Sequence, residues 1–284
     1  MSDESATAFV PGHVTGFFSA HPAERAAAAG SRGAGLTLTD GVEVRIDPTD
    51  SETTLNGESA EIEAVETVLA ELGIEEDRSV GVAATTDLPV GSGFGVSGAT
   101  ALGTALAANE AFACGRSENE LVRLAHVAEV EAGTGLGDVV AQARGGVPIR
   151  LEPGAPGYGE LDGVPASARI EYVTFGELST AEVLAGDTTA LTEAGERALT
   201  ALRRNPVLPA LMAASRTFAR EAGLLVPEVA EAVEAVEEAG GEAAMAMLGR
   251  TVFALGTGLS EAGYDPAVCH THAAGARLVD DDGE

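Results

Sequence analysis

The stretch Pro89-Val90-Gly91-Ser92-Gly93-Phe94-Gly95-Val96-Ser97-Gly98-Ala99 decides how this chain is read. Val80, Val82 and Ala84 alternate before it as in a strand, and Ala99 to Phe112 follows as an unbroken run of helix formers. Glycines at alternate positions let successive backbone N–H groups turn to one side and form an anion nest. The helix beginning near Ser97 adds its unpaired amides and the positive end of its dipole. A strand, glycine loop and helix in this order suit a polyphosphate. A glycine-rich turn that merely closes a strand has the same local pattern, so the flanking segments must separate the two.

Downstream lies Glu129-Val130-Glu131-Ala132-Gly133-Thr134-Gly135-Leu136-Gly137-Asp138. It places carboxylates at a helix end and inside a second glycine-rich turn. Mg²⁺ takes one or two protein carboxylates plus phosphate oxygens, and transfer to a hydroxyl needs a group to accept its proton. Asp138, in a turn of small residues, suits that second role better than the surface acids do. Upstream lies Val10-Pro11-Gly12-His13-Val14-Thr15-Gly16-Phe17-Phe18, followed by Ser31-Arg32-Gly33-Ala34-Gly35. There small residues between apolar ones allow backbone to approach a ligand.

The remaining chain reads as mixed α and β. Leu36 and Leu38, the dipeptide Asp40-Gly41, and Val42, Val44 and Ile46 read as a hairpin. Ile62 to Leu72 has helical periodicity capped by Gly73, and Ser117 with Glu120 forms a capping box. Val147, Ile149 and Leu151 read as a strand, as does Arg169 to Phe175. Ser179 with Glu182 forms a second capping box, and four helices are expected over about 188–204, 206–222, 227–239 and 242–256. The helix carrying Met245, Met247 and Leu248 reads as core. The acidic tail Asp280-Asp281-Asp282 reads as frayed. The expectation is an α+β chain of two domains, residues 1–152 and 166–284, joined by a Pro/Gly-rich linker at 153–165.

Composition narrows the chemistry. The 284 residues carry 45 acidic and 16 basic side chains, a formal charge of −29, and every basic one is Arg. Without Lys there is no Schiff base, no pyridoxal phosphate attachment and no GK[ST] triplet of a P-loop. Such a charge repels nucleic acid and anionic membranes. Acid-rich, Lys-free composition resembles the proteins of extreme halophiles, so most acids are read as a solvated coat. Cys114 and Cys269 are too few for a disulfide framework, and Cys269 with His270 and His272 lacks a fourth zinc ligand. No apolar run reaches the roughly 20 residues that span a bilayer. The N-terminus has no secretory pattern, so a cytoplasmic location is expected.

Together, in this order and spacing, the three segments resemble the GHMP kinase superfamily, with the match running through most of residues 9–150. The phosphate loop is its most specific part. The wording PGHVTGFF, GSGFGVSGA and GTGLGD is similar to the archaeal branch that phosphorylates pantoate on the route to coenzyme A. The resemblance implies a two-domain fold, with an N-terminal half like ribosomal protein S5 domain 2 and a ferredoxin-like, helix-rich C-terminal half. It implies ATP and Mg²⁺ as cofactors, pantoate as substrate and a homodimer. By position, Pro89, Gly91, Ser92, Gly93, Phe94, Gly95, Ser97 and Gly98 would contact ATP phosphates. Ser97 and Glu129 would hold Mg²⁺, with Glu131 as the alternative carboxylate, and Asp138 would orient or deprotonate the acceptor hydroxyl. For the substrate, Arg150, Arg144, Arg32 and His126 offer cations or donors. Arg150 is favoured, with His126, Ser31 and His13 as partners. His13 stands where many family members have Lys. The family's third glycine-rich motif has only Ala273-Ala274-Gly275-Ala276 as a counterpart, and no residue is carried over from it. Other GHMP acceptors (homoserine, shikimate, mevalonate) and a non-catalytic sensor are the alternatives.

Overall fold

A computed structural model describes residues 4–74, 80–176 and 188–279. Its frame is one long antiparallel pair, β1 (Ala6–His21) with β2 (Gly30–Asp47), in register from Ala6↔Ile46 to His21↔Gly30 with shifts after Pro11 and after Thr15. β1 and the first half of β2 are buried on most residues, covered on both sides, whereas from Asp40 onward β2 alternates, with Val42, Val44 and Ile46 buried and Glu43 and Arg45 exposed. The expected hairpin at Asp40-Gly41 does not form. β2 runs straight through it, Gly41 pairs with Pro11, and the missing side chain makes room for the Phe9 ring. The alternation on either side of Asp-Gly belongs to one strand, because the partner lies earlier in the chain.

β5 (Gly81–Thr85) flanks β2, followed by β3 (Thr53–Leu55) and β4 (Glu58–Ser59). β6 (Pro148–Glu152) joins the other end of β2, pairing Gly33 with Arg150 and Ala34 with Ile149. α2 (Val96–Ala111) packs over these strands, and α1 (Glu63–Glu71) and α3 (Glu118–Glu131) pack against α2 and each other. α2 is almost wholly buried, and its Ala, Gly and Thr side chains let it lie close to β1 and β2. α3 begins at the expected capping box, where Ser117 N donates to Glu120 Oε2 at 2.9 Å. The short α4 (Asp138–Arg144) follows the second glycine turn.

The second sheet has the order β11-β8-β10-β9, from β8 (Arg169–Thr174), β9 (Ala243–Ala246), β10 (Thr251–Leu255) and β11 (Ala267–His270). α6 (Leu208–Glu221) and α7 (Pro227–Glu238) pack against it, α5 (Thr189–Arg204) lies against α6, β1 and β2 instead, and α8 (Gly258–Glu261) is one turn. The helix expected over 242–256 is instead β9, a turn and β10. All four β9 residues are buried, so the run is apolar at every position, and periodicity cannot separate such a strand from a buried helix. The second capping box, Ser179 with Glu182, and the tail from Asp280 lie outside the described residues.

The two halves interlock. Within 153–165, read as a linker, β7 (Glu160–Gly163) pairs with β6. The chain then returns at its far end as β12 (Arg277–Val279) on the outer edge of β1, while α5 packs against β1 and β2. One continuous apolar core runs through both halves. No helix among the described residues is long and apolar enough to cross a membrane.

Candidate active site

The glycine loop between β5 and α2 borders a cleft of about 430 Å³. Gly91, Gly93 and Gly95 have φ of 71°, 89° and 65°, the left-handed region that side chains disfavour. Three loop carbonyls are taken by the protein. Ser92 O accepts from Thr251 Oγ1 at 2.8 Å, Phe94 O from His13 N at 2.9 Å, and Gly95 O from Gln142 Nε2 at 2.9 Å. α2 starts at Gly95 with no side-chain cap, so the first-turn amides of Val96, Ser97 and Gly98 are left for a ligand in the cleft they line. Carbonyls anchored inward and amides left open make an anion cradle.

Glu129 and Asp138 reach the cleft from α3 and α4. Ser97 Oγ donates to Glu129 Oε1 at 2.6 Å. Burial raises the Glu129 carboxyl from 4.5 to about 7, against the hydrogen bonds from Ser97 and Thr134, with the Asp138 charge adding to the rise. Asp138 is more open to the cleft. Burial works against its ionisation too, but the hydrogen bond from His13 and the nearby Arg150 charge outweigh it and hold the carboxyl below its ordinary value. Two neighbouring carboxyls with opposite shifts suit different tasks. Ser97 Oγ and the Glu129 carboxylate are hard oxygen donors beside the loop. Gly135, whose Cβ would stand 2.7 Å from Glu129 Oε2, keeps that oxygen accessible. This donor set fits Mg²⁺ shared with a polyphosphate. Among the described residues no group of three or more His, Cys, Asp or Glu forms a cage of its own.

Arg150 is 2% exposed, yet it lines the cleft, and its Nε and Nη1 have no hydrogen-bond partner. It fits because residue 137 is Gly, whose Cβ would stand 2.7 Å from Arg150 Nε. A buried guanidinium with open donors is costly unless something pairs with it. The other two arginines are engaged elsewhere. Arg32 donates to Leu151 O at 2.6 Å and to Glu196 at 2.8 Å, and Arg144 donates to Gly145 O at 3.1 Å.

The structure gathers Gly91, Gly93, Phe94, Gly95, Ser97, Gly98, Ser31, Glu129, Asp138 and Arg150 around one cleft. It does not bring the other five, Pro89, Ser92, His126, His13 and Glu131, to its lining. Pro89 precedes the loop, and the Ser92 hydroxyl turns inward to Val90 O at 3.4 Å. His126 shares a buried hydrogen bond of 2.8 Å with Ala29 O, and burial lowers its pKa, so it braces the chain entering β2 as a neutral ring. His13 is fully buried behind Asp138. Glu131 is exposed, away from the cleft. Reading the sequence missed Thr15, Phe18, Thr134, Leu136, Met247 and Leu248, which complete the walls. Met247 and Leu248 went unnoticed because their turn was read as helix interior. That turn backs the loop, with Met247 O 3.0 Å from where a Cβ of residue 93 would stand. Residues 274 and 275 lie instead against the end of α4.

Comparison with known proteins agrees with this geometry. Residues 61–146 match the GHMP kinases N terminal domain. The chain is 38% identical over 261 residues to the pantoate kinase of Thermococcus kodakarensis, covering 87% of this chain and 86% of that one. It therefore belongs to the GHMP kinase family and is a small-molecule kinase. The pantoate kinase of Methanocaldococcus jannaschii is 35% identical over 252 residues, covering 87% and 91%. A solved phosphotransferase described as related to the CoA biosynthesis pathway superposes with a TM-score of 0.88 at 30% identity, over 99% of this chain and all of that one. A homoserine kinase from Cytophaga hutchinsonii, at 20% identity and a TM-score of 0.68 over 97% of each chain, shares the fold.

Proposed function

We propose that this chain transfers the γ-phosphoryl group of ATP to the primary hydroxyl of pantoate, giving 4-phosphopantoate. The observation that carries the reading is Arg150, a buried guanidinium with two unpaired nitrogens whose side chain lines the cleft that also holds Asp138 and the glycine loop. Its planar fork suits a small hydroxy acid, whose carboxylate can take both nitrogens. The pantoate kinases named above supply the particular acid.

In this reading the loop amides and the first turn of α2 bind the phosphates in the N-terminal part of the chain, residues 1–152. Ser97 and Glu129 would hold Mg²⁺, which supplies charge neutralisation on the phosphate oxygens. Ser31 lies beside the acceptor, and Asp138 receives the hydroxyl proton as oxygen attacks phosphorus and the bond to ADP breaks. The protein contributes mostly positioning and fixed charge. A cytoplasmic homodimer is the accompanying expectation, and equilibrium sedimentation tests its oligomeric part.

Purified protein with Mg-ATP is offered pantoate, homoserine, shikimate and mevalonate in turn, and ADP is measured. Pantoate should be turned over well above the rest. ADP from another alcohol with none from pantoate overturns the substrate, and ATP binding with no turnover on any acceptor leaves a sensor.

A further inference from the structure

His13 is the most enclosed titratable group near the cleft, and apart from its hydrogen bond to Asp138 it has no part in the reaction described above. It follows the register shift in β1 and is 0% exposed. Its Nδ1 lies 2.6 Å from Asp138 Oδ1, while Nε2 is buried with no partner. The backbone around it is shaped for the ring. Residue 35 on β2 is Gly, and a Cβ there would stand 2.6 Å from Nε2. Its own N–H is tied to Phe94 O of the phosphate loop.

The proton can be placed by elimination. Two lone pairs cannot face each other at 2.6 Å, and Asp138 is ionised because its carboxyl is held below its ordinary value, so Nδ1 carries the hydrogen and donates to it. Burial holds the ring below its ordinary pKa although the Asp138 hydrogen bond opposes this, and Arg150 adds a second positive charge nearby. The ring is therefore neutral, with an unpaired acceptor at Nε2. A buried unpaired nitrogen costs stability, and the chain keeps it where it fixes one oxygen of the cleft carboxylate.

We propose that His13 is a positioning residue for phosphoryl transfer: from behind the cleft, its Nδ1–H holds Asp138 Oδ1 and leaves Oδ2 to take the proton of the attacking hydroxyl. This rests on the reading of Asp138 given above. His13 touches neither substrate, so its removal should act on turnover and not on binding.

The test uses His13→Asn, whose Nδ2 can take the place of Nδ1, and His13→Gln and His13→Leu, which put no donor there. In Gln and Leu, kcat should fall about 100-fold, with KM for ATP and pantoate within about threefold, and Asn should restore most of the loss. In an Asp138→Ala background the same substitutions should cost nothing further in kcat. Melting temperatures are measured alongside. Should Leu fail to fold, Gln against Asn decides. Wild-type kcat in Gln overturns the proposal, as does a loss that Asn shares equally or one that appears only in KM. If Asp138→Ala itself keeps wild-type turnover, the reading of Asp138 fails first. If Asp138→Ala is dead and Gln is unimpaired, only the role of His13 fails.

Discussion

At the residue scale the cleft exchanges stability for chemistry, and Glu129 shows how. Its carboxyl titrates at about 7 in the folded protein, above its ordinary 4.5, because burial penalises the charge. The folded state thus binds the proton more tightly than the unfolded chain does, so stability is lost as pH rises from the ordinary value through the raised one. Glu129→Gln removes that penalty while keeping an acceptor for Ser97. By about pH 8 the variant should be the more stable in urea by up to roughly 3 kcal/mol, with the difference gone near about pH 4. An unchanged difference across that range would rule out a raised Glu129. Arg150 makes a prediction of the opposite kind. Arg150→Lys keeps charge but loses the fork, so KM for pantoate should rise roughly 10- to 100-fold with KM for ATP unmoved. A shift in the ATP constant would place Arg150 on the nucleotide instead.

At the scale of elements the site is a joint between a loop and a turn from opposite halves of the chain. Gly93, at φ 89°, lies against Met247 O and the backbone nitrogen of Gly249, and Thr251 holds Ser92 O from β10. Gly93→Ala should cost about 1–2 kcal/mol for the left-handed backbone alone and raise KM for ATP, both read from one preparation by denaturation and kinetics. Unaltered ATP affinity would show that the loop's shape is not what binds. The loop half of this joint was legible, since alternate glycines between a strand and a helix state their backbone requirement in adjacent letters. The turn half was not. A strand buried on both faces loses the period of two, and Ala243 to Ala246 reads equally well as helix. Asp40-Gly41 misled for a related reason, because a turn dipeptide inside a long strand differs from a hairpin only in where the partner lies.

The whole molecule carries 45 acidic against 16 basic residues, and some of the arginines form ion pairs such as Arg197 with Glu221 and Arg250 with Glu228. Salt shortens the Debye length from about 10 Å at 0.1 M to about 3 Å at 1 M, which screens the excess repulsion more than it weakens those few pairs. The melting temperature should therefore rise steadily with KCl across that range. A flat or falling curve would mean that the acidic coat is not what limits stability in dilute buffer.

The amino-acid sequence alone determined the glycine loop between a strand and a helix, the capped helix ending at Glu131 and the exclusion of lysine chemistry, because these depend on residue type and on neighbours a few positions away. Only the tertiary structure decided which of several equivalent side chains meet in the cleft. Glu129 and Glu131 differ by two positions, which puts them on different sides of α3. Arg150 lines the cleft while Arg32 and Arg144 turn to other partners, because Gly137 makes room for Arg150 on β6. His13 meets Asp138 across 125 residues of chain. Such meetings are set by strand register and packing, which no local pattern records.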